Sequence, residues 1–473
     1  MKKIFFSTVL LIMISWQGIS QTVMTLRQCV ETGIANNFDV LQSQFQAESD
    51  KANWKQAKMN LFPDLNASAG HNYNQGRSID PYSNSPVTQS FNSSSYGVSS
   101  NVILFNGFSV QNNIKQSSLT YKAASMELQQ EKDNLTINII LAYLQVLSNT
   151  DQVEQAKNQL DLTGKQVERL EILNKEGAVR PLTLSDLKGQ YSGDQLSIIN
   201  AKNLLESAKV SLSRLMNVPY NKDLALEKIQ PESFAAVYDL APNAIYETAL
   251  KQFALIKAVD FRQQSASKAV KVARGQLFPT LSFGANAFTN YVSVAEQSQY
   301  INTFYGATSD SVFTSTEKLP VFRYQDNFTP RTKISYKDQL DNNFSTSYGF
   351  SLRIPIFNAL SQRNRVKQAK INFESAELTS RSARTRLGQD IEQAYVNMNS
   401  ASERHKALIE QVDAYDQSFK AAEILFQQGV GTSIDYLVAK NNLDRANISL
   451  IIARYDLVLR TKILDYYQGK QLW

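Results

Sequence analysis

The chain has 473 residues, a formal net charge of +6, one cysteine and two histidines. A single cysteine excludes an intrachain disulfide framework, and a mild, dispersed positive charge is not the clustered basic face of a nucleic-acid binder. Leu, Ile, Val and Phe are plentiful, which excludes a disordered chain.

Residues 1–20 read as a signal peptide. Lys2 and Lys3 precede the apolar stretch Ile4 to Ile14, and Gly18 and Ser20 are small residues at −3 and −1 of a cut before Gln21. Removing the two lysines leaves a charge of +4. Beyond that stretch no run of about 18 uncharged apolar residues occurs; Ile448 to Leu459 comes nearest, and Arg454 and Asp456 interrupt it. An exported chain of this kind crosses a membrane with strands or not at all. Cys29 follows Leu26-Arg27-Gln28, where lipoprotein processing wants small residues, so a buried thiol on a helix face is expected rather than a lipid anchor.

A first structural repeat covers 21–218. It opens with a helix from about Thr25 to Asn60, with Thr25 and Gln28 spaced as a capping box. A strand at about 64–73 alternates Leu65, Ala67 and Ala69 with Asn66, Ser68 and Gly70. A polar loop, His71 to Ser94, leads to a second strand at about 95–105, in which Tyr96, Val98, Val102 and Leu104 recur at every second position or multiples of it. A long helical hairpin then spans about 108–215. Between Gly107 and Gly177 lie 69 residues with no proline, rich in good helix formers. Such a helix reaches roughly 100 Å, and Pro219 stops its return partner.

Residues 219–242 form a linker, and 243–473 repeat the plan. A helix, about Ala244 to Gln276, precedes strands at about 280–290 and 345–357, separated by a polar and aromatic loop from Tyr291 to Asn343. A second long helical hairpin covers about 359–467. The duplication is explicit. Leu61-Phe62-Pro63 returns as Leu277-Phe278-Pro279, a shift of 216, whereas Phe105-Asn106, Ala142-Tyr143 and Gly177 return as Phe357-Asn358, Ala394-Tyr395 and Gly429, a shift of 252. The difference of 36 residues is an insertion between the strands of the second repeat.

On the second long helix Leu408, Val412, Tyr415, Phe419, Ala422 and Phe426 step by 4, 3, 4, 3, 4, and Ala156, Leu160, Thr163, Val167 and Leu170 occupy the equivalent seam in the first. A 3.5-residue period predicts helices that supercoil left-handed against neighbours. Four alternating strands are too few to close a membrane barrel, for which eight is the usual minimum. Open edges in lipid leave unpaired amides costing several kcal/mol each, so copies must pool strands, and three copies supply twelve. The predicted fold is therefore mainly α with a β-barrel: a trimeric 12-stranded outer-membrane β-barrel, four strands per chain, continued by a long periplasmic α-helical coiled-coil barrel. A diffusion porin, with many strands and little helix, and a secreted coiled-coil structural protein are the competing classes.

Nothing suggests catalysis. His71 lies in a loop and His405 mid-helix, so no histidine cluster offers a metal or nucleophile site, and no Gly-rich phosphate loop follows a strand. No enzyme, cofactor or metal centre is expected. The two hairpin tips draw attention instead: Gly177, Ala178, Val179 and Arg180 in one, Gly429, Val430, Gly431 and Thr432 in the other. Glycine there permits the positive φ that reverses a helix, so for the glycines alone ordinary helix-hairpin turns are the better account.

Over essentially its whole mature length the chain resembles the TolC-like outer-membrane efflux proteins. The twin Leu-Phe-Pro motifs, the Leu104-Phe105-Asn106-Gly107 junction and the segment Gly429 to Ala439 carry the resemblance through their duplicated order. It implies a homotrimer in the outer membrane, with the helical part in the periplasm. It implies the exit duct of a tripartite efflux pump or a type I secretion system, passively conducting substrates. It implies partners too: outer-membrane lipids, a periplasmic adaptor (membrane fusion) protein docking on the tips, and an inner-membrane transporter of RND, ABC or MFS type. In that family an aspartate at the position of Asp435 narrows the periplasmic mouth, followed three residues later by a second acid, where this chain has Val438. Asp435 is thus a candidate periplasmic gate, and equally a helix-capping acid.

Overall fold

The structure, a computed structural model, describes residues 23–79, 84–88, 90–229 and 240–470. The signal peptide and the middle of the 219–242 linker lie outside the described residues. In chain order the elements are α1 (Leu26–Asn36), α2 (Phe38–Met59), β1 (Asn66–Asn74), β2 (Arg77–Ile79), β3 (Pro86–Thr88), β4 (Phe91–Phe105), α3 (Ser109–Lys175), α4 (Pro181–Met216), α5 (Pro242–Gln252), α6 (Ala254–Gly275), β5 (Thr280–Val292), β6 (Glu296–Gln297), β7 (Tyr300–Phe313), β8 (Lys318–Phe328), β9 (Thr332–Lys333), α7 (Tyr336–Asn342), β10 (Ser345–Arg353), α8 (Ser361–Gln427) and α9 (Ser433–Tyr467).

The chain divides into two units that cut across the sequence repeats. One comprises residues up to 54, 115–267 and 370–473; the other comprises 55–114 and 268–369. All four crossings fall inside helices: α2, α3, α6 and α8. Each unit takes matching pieces of both repeats.

The helical unit starts as its capping residues dictate. The Thr25 hydroxyl accepts from the Gln28 amide at 3.2 Å, and the Gln28 side chain accepts from the Thr25 amide at 3.0 Å. The single helix expected from Thr25 to Asn60 is in fact two. Asn37 is extended, with φ −68° and ψ 129°, and its side-chain oxygen caps α2 by accepting from the Asp39 and Val40 amides. The expected helix from Ala244 to Gln276 also breaks, at Phe253, with φ −64° and ψ 125°. Phe253 lies 216 residues after Asn37, the shift of the Leu-Phe-Pro motif, so the kink belongs to the duplicated plan. Phe253 lacks a capping side chain; its ring instead packs on Tyr466 and Tyr467. Each break lets a short helix turn its apolar face into a core: Cys29, Val30 and Val40 join Ile139, Tyr143 and Leu212 in one cluster, and Ile245, Ala249 and Ile256 join Leu387, Ile391 and Leu464 in another. Cys29 is buried as expected, and burial pushes its thiol up to about 12.

The sheet unit contains one four-stranded antiparallel sheet in the order β1-β4-β5-β10. The central pairing joins the last strand of the first repeat to the first of the second. Register sorts the two faces. Ala67, Val98, Ala287 and Thr346 align across one face, as do Val102, Phe283 and Phe350, and Leu281 with Leu352. The other face aligns Ser68 with Gly97, and Asn66 with Ser99, Asn286 and Ser347. One face is thus mainly apolar and the other mainly polar, although Ile103 and Phe288 also lie on the latter, and β1 and β10 are the outer strands of the sheet. β10 stops at Arg353, short of the expected 357, because Pro355 has no amide to give a ladder.

Two segments expected to be loops contain strands. Within 71–94, β1 runs on to Asn74, β4 begins at Phe91, and β2 pairs with β3. The insertion holds a long hairpin of β7 and β8, a β6–β9 pair at its base, and α7, whose Gln339 side chain donates to the Val292 and Ile334 carbonyls. Both segments read as polar, and strands that bury no common core give only a weak alternating signal.

The strand-to-helix junctions repeat a rare backbone pair. Gly107 and Phe108 have φ +63° and +61°; Ala359 and Leu360, each 252 residues later, have φ +50° and +62°. A Cβ on Gly107 would lie 2.5 Å from the Gly275 carbonyl oxygen and 2.8 Å from Phe278 Cβ. Glycine therefore serves close approach as well as φ at this point, whereas alanine stands at the second junction.

Candidate functional site at the hairpin tips

Both hairpins turn by the same device. In the first, Ala178 N–H donates to the Leu173 carbonyl at 2.8 Å and Gly177 N–H to the Asn174 carbonyl at 3.1 Å. In the second, Val430 N–H donates to the Leu425 carbonyl at 3.0 Å and Gly429 N–H to the Phe426 carbonyl at 3.2 Å. These are Schellman caps, with Gly177 and Gly429 at φ +69° and +76°. Added Cβ atoms at these two glycines would meet nothing within 4 Å, so backbone conformation alone selects glycine there.

The exits differ. At the first tip Arg180 precedes α4 with no side-chain cap, and Pro181 occupies the first helical turn. At the second, Thr432 caps α9: its hydroxyl accepts from the Asp435 amide at 3.2 Å and donates to Asp435 Oδ2 at 2.6 Å. Asp435 is exposed and engaged in this cap. Gly431 does not have positive φ; a Cβ there would press on the Leu425 and Phe426 backbone at 3.1–3.2 Å.

A shared core sits behind the tips. Leu170 of α3, Leu187 of α4, Phe419 of α8 and Tyr436 and Ala439 of α9 form one buried cluster. Tyr436 stacks on Phe426 at 4.9 Å and lies 5.6 Å from Phe419. Desolvation in this cluster pushes the Tyr436 phenol well above its ordinary value. The heptad seam read from sequence lands here: Phe419 is buried, while Leu408, Val412, Tyr415, Ala422 and Phe426 are half-buried. Polar contacts link the same two hairpins. Ser433 donates to Asp186 Oδ2 at 3.1 Å, and Arg169 donates to the Gln427 carbonyl at 2.9 Å.

Of the expected tip residues, Val179 is half-buried and packed against the cluster. Gly177, Ala178, Arg180, Gly429, Val430 and Thr432 are exposed, and Gly431 half-exposed. The structure adds an apolar group that sequence inspection passed over: Ile434 is 67% exposed beside the expected Val430 at 75%, with Val438 one turn beyond Ile434 on the same face. An exposed Ile in a heptad-rich helix reads as core, which hid it.

A second feature was missed. Lys440 of α9, Asp194 of α4 and Asp444 of α9 form a buried charged group behind the tip core. Thr163 donates to Asp194 Oδ2 at 2.6 Å, and Gln190 to Oδ1 at 2.8 Å. Desolvation pushes the Asp444 carboxyl up, against the pull of Lys440. The signal was spacing: Leu187, Tyr191, Asp194 and Tyr436, Lys440, Leu443 each step by 4 and 3, which places the charges on core stripes.

Among the described residues no group of three or more His, Cys, Asp and Glu could hold a metal ion, and no helix is long and apolar enough to cross a membrane.

These features meet known proteins at family level. The family model "Outer membrane efflux protein" matches residues 30–218 and 245–465. The chain is 22% identical to the outer membrane protein TolC of Escherichia coli over 344 residues, 72% of this chain and 63% of that protein, so the match spans less than two thirds of that relative's length. It is 22% identical to the TolC of Vibrio cholerae over 402 residues, 84% of this chain and 80% of that one. Among solved structures it is similar to the outer membrane protein VceC from Vibrio cholerae, with a TM-score of 0.73 and 14% identity over 95% of this chain and 97% of that one. The outer-membrane channel OprN is likewise similar, with a TM-score of 0.72 and 18% identity over 94% and 90%. At such identities the structural likeness establishes the fold: mainly helical, with four strands per chain contributed to a barrel. The chain therefore belongs to the outer membrane efflux protein family, as a TolC-like outer-membrane factor whose barrel part lies in the outer membrane and whose helical part lies in the periplasm.

Proposed function

We propose that this protein is the passive exit duct of a tripartite efflux pump or type I secretion system, working as a homotrimer of twelve pooled strands. The four-stranded sheet with segregated faces and two free edges carries the reading. An open sheet in hydrocarbon leaves the outer amides of β1 and β10 unpaired, each costing several kcal/mol. Pairing β10 of one copy with β1 of the next removes that cost once the ring closes. The polar face, built from Ser, Gly and Asn, then lines a wet lumen.

The duct supplies no energy and performs no chemistry; an inner-membrane transporter drives substrate through it. A periplasmic adaptor docks on the tips. The exposed small and apolar groups Gly177, Ala178, Gly429, Val430 and Ile434 support this, since a partner helix can pack closely against them. Arg180 and Thr432 border the surface. Three copies of Asp435 form a carboxylate ring at the periplasmic mouth, and opening rearranges packed helices between discrete states.

The test is electron microscopy of detergent-extracted protein, with conductance in planar bilayers. Three-fold particles that conduct are expected. Monomers, or particles without a closed barrel, would overturn the duct.

A further inference from the structure

Within the insertion that distinguishes the second repeat, β7 and β8 build a hairpin with two unlike faces. Ring contacts place Tyr305 against Phe322 and Tyr324, and Tyr300 against Phe328. Register and strand alternation put these five aromatics on one face, and Asn302, Arg323, Gln325 and Asn327 on the other, where Phe304 opposite Gln325 is the one ring among them. The five rings are 51–76% exposed. At its base Glu296 and Gln297 pair with Lys333 and Thr332. Beyond that, among the described residues, the hairpin makes no extensive packing contact with another helix or strand.

A two-stranded hairpin without packing is at best marginally stable in water, and a contiguous exposed aromatic face marks an interaction surface. The interface between copies is one strand away. β9 and α7 lead from the hairpin straight into β10, a free edge of the sheet. α7 is held at this rim by the Tyr336 hydroxyl, 2.8 Å from that of Tyr96, and by Asn343 donating to the Asn290 carbonyl at 2.8 Å. Charge narrows the occupant. Asp326 on the aromatic face is held by Thr303 at 2.6 Å, and Lys318 sits over the Phe313 ring at the hairpin end. One acid and one base make a nearly neutral stripe, which suits a copy of itself better than an anionic lipid surface that attracts clustered cations. Reach is sufficient. The 11 residues of β8 extend ~35 Å, and a 12-stranded barrel with ~4.8 Å strand spacing and ~40° tilt has a radius of ~12 Å.

We propose that the aromatic stripe of Tyr300, Tyr305, Phe322, Tyr324 and Phe328 docks on the hairpins of neighbouring copies, as an intersubunit clasp separate from the barrel ladder. The inference rests on the trimeric duct.

Single-cysteine cross-linking tests it in outer membranes carrying the full chain, because native Cys29 is buried away from a maleimide. Tyr324→Cys and Phe322→Cys lie on the stripe, and Gln325→Cys lies on the opposite face. With a short bis-maleimide, cross-linked dimers are expected from the stripe variants at several times the yield from Gln325→Cys. Light scattering of the same variants in detergent reports assembly separately. Trimeric mass with equal or no cross-linking from the two faces would overturn the clasp and leave the duct standing. Reaction of the stripe cysteines with a maleimide-headgroup phospholipid instead would assign the face to the membrane and overturn it too. Monomeric mass would overturn the duct and the clasp together.

Discussion

The ammonium of Lys440 lies 3.2 Å from Asp194 Oδ2 and 2.7 Å from Asp444 Oδ2, with Lys440 only 1% exposed. One base faces two acids inside the bundle and joins the two hairpins, since Asp194 belongs to α4 and Lys440 to α9. Lys440→Met would strand two carboxylates in low dielectric. A loss of about 3–5 kcal/mol is expected, as for other broken buried pairs. Adding Asp194→Asn and Asp444→Asn should recover most of it. Denaturant unfolding of the three proteins checks this; a triple variant no better than Lys440→Met would show that the charges are not what the lysine balances.

This group also marks where the sequence was legible and where it was not. Phe419 and Leu170 announced themselves through a strict apolar heptad, and so did the paired turns at Gly177 and Gly429, because period and glycine are local properties of the chain. Lys440 and Asp194 occupy the facing stripes of the return helices α9 and α4, but a charged residue at a core position looks like a solvated face until its partner on another helix is known. The breaks at Asn37 and Phe253 were hidden for a similar reason. Neither residue is a strong helix breaker, and the kinks are imposed by cores that the flanking helices join. Among the described residues no side chain of the β7–β8 hairpin is fully buried, so no alternating burial pattern announced it.

The junction pairs give an asymmetric prediction. A left-handed conformation costs a non-glycine residue roughly 1–2 kcal/mol, and Ala359 bears that cost at φ +50°. Ala359→Gly should therefore stabilise, by about 0.5–1 kcal/mol after the extra chain entropy of glycine. Gly107→Ala should destabilise by more than the φ cost alone, because its Cβ would strike the Gly275 carbonyl. Thermal unfolding of the two variants checks the opposite signs.

The sheet faces predict where charge is tolerated. Ala285 lies on the apolar face and its neighbour Asn286 on the polar one. Ala285→Arg should cost about 2–4 kcal/mol if it meets the bilayer midplane, seen as a fall in assembled protein in outer-membrane fractions. Asn286→Arg should assemble normally and shift ion preference toward anions, since the proposed trimer would place three positive charges in its lumen. Equal loss of assembly from both variants would mean that the faces are assigned wrongly.

Asp435 allows its two roles to be separated. As a cap, its amide donates to Thr432 and its carboxylate accepts from the Thr432 hydroxyl. As a ring, only its charge matters. Asp435→Asn keeps an acceptor for Thr432 and removes the charge, while Thr432→Val removes the cap and keeps the charge. Loss of a cap costs about 1 kcal/mol, so Thr432→Val should lower the unfolding temperature while leaving cation preference in planar bilayers intact. Asp435→Asn should do the reverse, with stability close to that of the unaltered protein and reduced cation selectivity. If Asp435→Asn conducts with unchanged selectivity, the carboxylate is a capping group alone. Closure of the proposed trimer would then rest on the apolar groups around it, Val430, Ile434 and Val438, whose exposure in the single chain leaves them free to meet their counterparts across its three-fold axis.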